Sequence, residues 1–130
     1  MSPPPVRWLT FVVACLVMVY GLYAPTEPRL PVGFTYIDKL GHLGVFFLVA
    51  VTGRWVGIRW QVLAPLLVAQ AVVSEIVQAL FEVGRDGDVW DSVADLIGTA
   101  LGLGGWEAVQ RWRRRRRQPV PAGHPGHRGG

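Results

Sequence analysis

The sequence predicts an all-α protein, an integral membrane bundle of about four transmembrane helices. Three observations carry that reading. Of the 130 residues 51% are hydrophobic and only 17% are charged, with a mean hydropathy of +0.32. A single domain of this size has too little interior to hide so much apolar side chain, so lipid is the expected solvent for much of its surface. The apolar residues gather in four stretches, each near the ~20 residues that a tilted membrane helix needs. The basic residues crowd onto alternate connections between those stretches, the mark of a multi-pass chain.

The first stretch runs from Trp8 to Ala24. A secretory signal is the competing reading, but "PPP" and a lone Arg7 make a weak basic region, and no small-x-small cleavage site follows. It reads as a retained helix. The second begins near Lys39 and is stopped by Arg54, the shortest of the four. The third spans Trp60 to Phe81, with Pro65 tolerable in the first turns of a membrane helix. The fourth spans Asp91 to Trp112. Residues 8–112 therefore form the membrane domain, between a short cytoplasmic N-terminus (1–7) and a basic, disordered cytoplasmic tail (113–130).

Charge sets the direction. With both termini inside, the inner side holds Arg7, Arg54, Arg59, Arg111, Arg113 to Arg117 and Arg128, against Arg29, Lys39 and Arg85 outside. The run "RWRRRRR" directly follows an apolar segment, which favours a cytoplasmic flank on anionic lipid over nucleic acid. His124 and His127 in the tail read as solvated. Cys15, the one cysteine, says nothing of redox compartment.

On this topology every acidic residue except Glu107 falls on the outer side. Asp38, Lys39 and His42 open the second helix, Glu75 and Gln78 close the third, Arg85 lies on the outer loop, and Asp91 and Asp95 open the fourth. Asp38 and His42, Ser74 and Gln78, and Asp91 and Asp95 are each four apart, so each pair shares a helix face. Gly98 and Gly102 continue the Asp95 stripe as a small-xxx-small surface for close helix packing, with Gly41 and Gly44 offering similar room on the second helix. These placements predict one outward-facing polar pocket. Simpler roles compete: Asp38 and Asp91 can cap their helices, Asp86 and Asp88 can be solvated turn residues, and Lys39 can snorkel. Glu75, His42 and Asp95 lie deeper in apolar sequence and point to a buried network.

"DKLGHLGVFFLV" followed by "SEIVQALFEVGRDGDVWDSVADLIGTALG" resembles the VanZ-like family of small bacterial membrane proteins. The family pattern is Asp-Lys-x-x-His at the start of one helix and Glu-x-x-Gln at the end of the next. An Arg-containing loop follows, then an Asp ahead of an Asn-x-x-Gly-x-x-x-Gly helix. Asp38, Lys39, His42, Glu75, Gln78, Arg85, Asp91, Gly98 and Gly102 match it, over about Tyr36 to Gly105. Asp95 stands where the family has Asn, so either the site gains a negative charge or a protonated Asp95 bonds as Asn would. The resemblance implies a multi-pass protein of the bacterial cell membrane and, from the family's name, a link to the cell envelope and glycopeptide resistance. It supplies no reaction.

Three functions compete. The first is binding or modulation of an anionic outer-leaflet lipid or lipid-linked cell-wall precursor, with Lys39, Arg85 and His42 on phosphate and carboxylates orienting the cations. The second is an enzyme acting on such a lipid, with a histidine and carboxylates for acid–base work and Glu75 as base. No GxSxG or HExxH motif supports it. The third, ion or proton translocation, lacks a polar path beyond Gln70 and Thr52. No cofactor, metal or nucleic-acid partner is assigned, and the oligomeric state is open. A divalent ion shared by Asp38, His42, Glu75 and Asp91 would need a geometry across three helices that sequence alone does not give.

Overall fold

A computed structural model describes residues 2–24, 35–81 and 89–123. They form four helices and no strand: α1 (Pro5–Tyr23), α2 (Thr35–Val56), α3 (Trp60–Phe81) and α4 (Val89–Arg117). At about 1.5 Å per residue, α1 is about 28 Å long and α2 and α3 about 33 Å, close to the ~30 Å of a bilayer's hydrocarbon core. Those three are long and apolar enough to cross a membrane. α4 falls short of the same apolar standard, since Asp91, Asp95 and Glu107 interrupt it.

Local chemistry explains each boundary. Pro5 sits at the first position of α1, where its missing N–H costs nothing and its fixed φ suits a helix. α2 is longer than the sequence reading allowed. It starts before Asp38 and runs through Arg54, which does not stop it. The Arg54 guanidinium leaves the apolar surface, donating to the Ile58 carbonyl at 2.8 Å and pairing with Glu107 on α4. The helix ends instead at Gly57, whose φ of +109° is a left-handed conformation that glycine adopts without strain. Gly57 N–H donates to Arg54 O (3.1 Å) and Ile58 N–H to Gly53 O (3.0 Å), the paired bonds of a Schellman cap. α4 likewise runs further than expected. Arg113 to Arg117 are helical, because arginine is a good helix former and cations favour a helix C-terminus. Arg116 also lies over the Trp112 ring, 4.2 Å from its centroid.

The helices alternate in direction. Arg7 at the start of α1 meets Trp55 at the end of α2, donating to its carbonyl at 3.5 Å and lying over its ring. α2 and α4 run parallel, because their partners keep a nearly constant offset: Lys39 with Asp91, His42 with Asp95, Arg54 with Glu107. Their interface is the most extensive in the bundle. One end of the bundle thus gathers Arg7, Arg54, Arg59 and the α4 arginines, and the other gathers Asp38, Lys39, Glu75 and Asp91.

The bundle is apolar outside and partly polar inside. Leu9, Leu16, Leu40, Leu66, Leu80 and Phe81 are all more than half exposed, while His42, Ser74, Gln78, Asp91, Asp95 and Thr99 are buried. A compact apolar core remains between α1, α2 and α3, built from Ala14, Met18, Leu22, Phe46, Val49, Ala50, Leu63, Leu67 and Ala71. α4 contributes a face of small and polar residues: Asp91, Ala94, Asp95, Gly98, Thr99 and Gly102.

Two glycines set the α2–α4 distance. A methyl group on Gly98 would fall far inside van der Waals contact with the Leu43 carbonyl oxygen, and one on Gly102 would come within 2.6 Å of the Ala50 methyl and 2.9 Å of Phe47 O. Gly41 and Gly44, expected to serve the same purpose on α2, do not, since an added Cβ meets nothing within 4 Å at either. Gly98→Ala should therefore force the helices apart and destabilise the detergent-solubilised protein by about 1–3 kcal/mol. Gly104→Ala, where a Cβ meets nothing within 4 Å, should stabilise it by about 0.5–1 kcal/mol through helix propensity. Thermal unfolding followed by circular dichroism reads both, and equal shifts would show that close approach does not depend on Gly98.

Candidate functional site

The site is built where the parallel helices α2 and α4 begin. On α2, Asp38, Lys39 and His42 occupy the first two turns, and on α4 Asp91 and Asp95 do so. Because the helices run in the same direction, equal positions along them face one another, and two polar layers form one turn apart. In the upper layer Lys39 Nζ donates to Asp91 Oδ1 at 3.1 Å, with 24% and 10% of the two side chains exposed. In the lower layer His42 Nδ1 and Asp95 Oδ1 are 2.9 Å apart, with 4% and 2% exposed. Asp91 thus reaches across to α2, and capping does not exhaust its role.

The lower layer is the more consequential. Two ionisable side chains with almost no water access are tolerable only as partners, since breaking such a pair strands a polar group. With hydrogen on Nδ1, His42 donates to the Asp95 carboxylate and its Nε2 keeps a lone pair. That Nε2 is buried and has no hydrogen-bond partner among the described residues. Thr99 does not extend the network, because its hydroxyl donates back to the Asp95 carbonyl of its own helix at 2.9 Å.

Other expected members of the pocket are placed differently. Gln78 is buried, but its Nε2 donates to the Leu22 carbonyl at 3.0 Å, satisfying an acceptor near the C-terminus of α1. It is a joint between α3 and α1. Ser74 donates to the Ala71 carbonyl on its own helix (3.0 Å). Glu75 lies on the α4 side of α3, where the Ser92 hydroxyl approaches it at 3.5 Å. Arg85 lies outside the described residues, as do Glu82, Asp86 and Asp88. The structure therefore draws Asp38, Lys39, His42, Asp91 and Asp95 together and sets Gln78 apart.

Sequence reasoning missed two polar contacts. Gln70 Nε2 donates to the Tyr23 hydroxyl at 2.7 Å, tying α3 to the end of α1. Arg54 pairs with Glu107 at the far end of the α2–α4 seam. The second left a signal, because Arg54 follows His42 by the same twelve residues that separate Glu107 from Asp95.

A groove of about 370 Å³ opens between α1 and α2 beside the cluster. Val17, Leu22, Ile37 and Val45 make it apolar along its length, Gly41 forms part of its floor, and Asp38 and His42 stand in its wall. Polar groups of the cluster are thus reachable from the apolar flank of the bundle. Comparison with protein-family models, with curated proteins and with solved structures finds no match to this chain.

The donor direction at the lower layer can be tested by substitution. Asn at position 95 still offers an amide oxygen to Nδ1–H, whereas Leu offers nothing. Asp95→Asn should cost about 1 kcal/mol or less, and Asp95→Leu about 3–5 kcal/mol, because it strands His42. Unfolding in detergent measures both, and a severe Asp95→Asn variant would show that the negative charge, not the acceptor, holds the layer.

Proposed function

We propose that this chain is a VanZ-like protein of the bacterial cell membrane, with four spans and both termini cytoplasmic. In this reading its outer polar end binds or modulates an anionic lipid or lipid-linked cell-wall precursor. The groove beside the cluster carries the proposal. An apolar channel leading to charged groups suits a molecule with a hydrocarbon chain and a polar head, which would enter sideways from the bilayer. The apolar exterior and the gathering of arginines at the opposite end support the orientation. α4 would cross as the fourth span, its carboxylates turned inward onto α2. Lys39 supplies a cation at the cluster, and the sequence adds Arg85 in the following loop.

A second reading has its own observation. A histidine held at Nδ1 by a carboxylate, with Nε2 unpartnered, is the arrangement of a general base with its orienting group. On that reading His42, rather than Glu75, would be the base of an enzyme acting on the same lipid. Conversion of labelled polyprenyl phosphate or phospholipid by purified protein, abolished by His42→Gln, would put the enzyme first.

Filling the groove tests the binding reading without disturbing the seam, because a Cβ at Gly41 meets nothing within 4 Å. Gly41→Leu should lower retention of polyprenyl phosphate or phosphatidylglycerol at least tenfold, about 1.4 kcal/mol, in native mass spectrometry, without lowering the melting temperature. Retention equal to wild type would move the ligand elsewhere. Orientation is tested on a Cys15→Ala background. Gly87→Cys should react with an impermeant thiol reagent in intact cells and Ala122→Cys should not, and the reverse pattern would invert the topology.

A further inference from the structure

The four-residue metal site considered from sequence spans three helices. The structure brings together a smaller set on two. One ring nitrogen of His42, one carboxylate oxygen of Asp38 and one of Asp91 all lie within 4.8 Å of one another. A cluster of carboxylates beside a helix start is common and by itself means little. Two further observations distinguish this one.

The first is the unpartnered nitrogen. His42 is 96% buried by side-chain area, and its Nε2 has no hydrogen-bond partner among the described residues. A buried polar atom left alone costs about 1–3 kcal/mol, so native structures retain one where a ligand, ion or water completes it. The second is the partner on the other nitrogen. Metal-binding histidines hold a carboxylate or carbonyl on the ring nitrogen away from the metal, which fixes the tautomer and turns the free lone pair toward the ion. Asp95 does this at Nδ1, at 2.9 Å. On that pattern the buried pair would be the supporting shell, and Nε2, the nitrogen left over, the ligand.

We propose that His42 Nε2, Asp38 and Asp91 form a binding site for a divalent transition-metal ion of the manganese-to-zinc class, with Asp95 orienting the histidine. One imidazole and two carboxylates suit that class better than calcium or magnesium, which prefer oxygen throughout. Ligand bonds of about 2.0–2.2 Å place donor atoms about 3.0–3.6 Å apart, so the carboxylates must close by roughly an ångström. Asp38 is exposed, and Asp91 has a second oxygen beyond the one that Lys39 holds. The site goes beyond the lipid reading and stands without it, because its ligands and its orienting group belong to α2 and α4 alone.

The test uses the full chain in detergent, stripped with chelator and titrated with Mn²⁺ and with Zn²⁺ alone. One ion should bind per chain, and the Mn²⁺ form should show electron spin-echo modulation from a single imidazole nitrogen. Asp38→Asn and Asp91→Asn should each weaken binding at least tenfold. Asp38→Asn should also keep the wild-type melting temperature, since its side chain is exposed. Glu107→Gln, which removes a carboxylate at the opposite end, should bind as wild type. No saturable binding of either ion, binding without the nitrogen signature, or equal weakening in Glu107→Gln would each overturn the proposal. The first of those outcomes would leave water as the partner of Nε2.

Discussion

The architecture depends on how closely α2 and α4 approach. At Gly98 the two backbones come near enough that a single methyl group would strike the Leu43 carbonyl oxygen. In lipid, apolar surface gains little from meeting other apolar surface, so helices associate through close packing and shared polar contacts. Both operate on this seam. The glycines bring the backbones together, and that approach places His42 within 2.9 Å of Asp95. Move the helices apart by the width of a side chain, and the two most buried ionisable groups of the seam lose one another. The penalty of a stranded polar group in such a place exceeds the gain from any one apolar contact.

Parallel packing follows from chain order and then shapes the chemistry. Two neighbouring helices can run parallel only if a third returns the chain between them, and α3 does so after the short turn capped at Gly57. Parallel helices begin at the same end, so two N-termini lie side by side. Their combined positive dipole ends favour carboxylates, and Asp38 and Asp91 both sit in first turns. The opposite end holds the C-termini of the same helices, where Arg54 and the α4 arginines are favoured for the complementary reason. Among the described residues, one topological fact thus biases carboxylates toward one end and arginines toward the other.

The helical class and the placement of all four elements were legible in composition and spacing. So was the α4 stripe of Asp91, Asp95, Gly98 and Gly102, since small and acidic residues recurring every three or four positions share one helix face, although helix capping competed as the role of Asp91. What sequence could not supply was the partner. Gln78 shares a helix face with Ser74 one turn away, yet it bonds across to Leu22, because a helix end on α1 needed a donor and sequence periodicity does not reveal neighbours. Gly41 and Gly44 looked equivalent to Gly98 and Gly102, but only the latter pair faces another backbone. Boundaries shifted where a charged side chain found a route out of the apolar layer, as Arg54 did toward Glu107 and Ile58.

The two polar layers differ in what they can give to function. Exposure falls from the open carboxylate of Asp38, through Lys39 and Asp91, to the closed pair of His42 and Asp95. The Lys39–Asp91 pair keeps more contact with solvent through Lys39, so it costs less to open than the pair beneath it. The pair beneath it cannot open without stranding a polar group in a buried place. Stability therefore rests on the lower layer and exchange on the upper. His42 belongs to both: its Nδ1 is fixed by the floor, while the rest of the ring borders the rim and the groove. For a group held on one side by a packed partner, much of the cost of ordering has already been met when the helices pack.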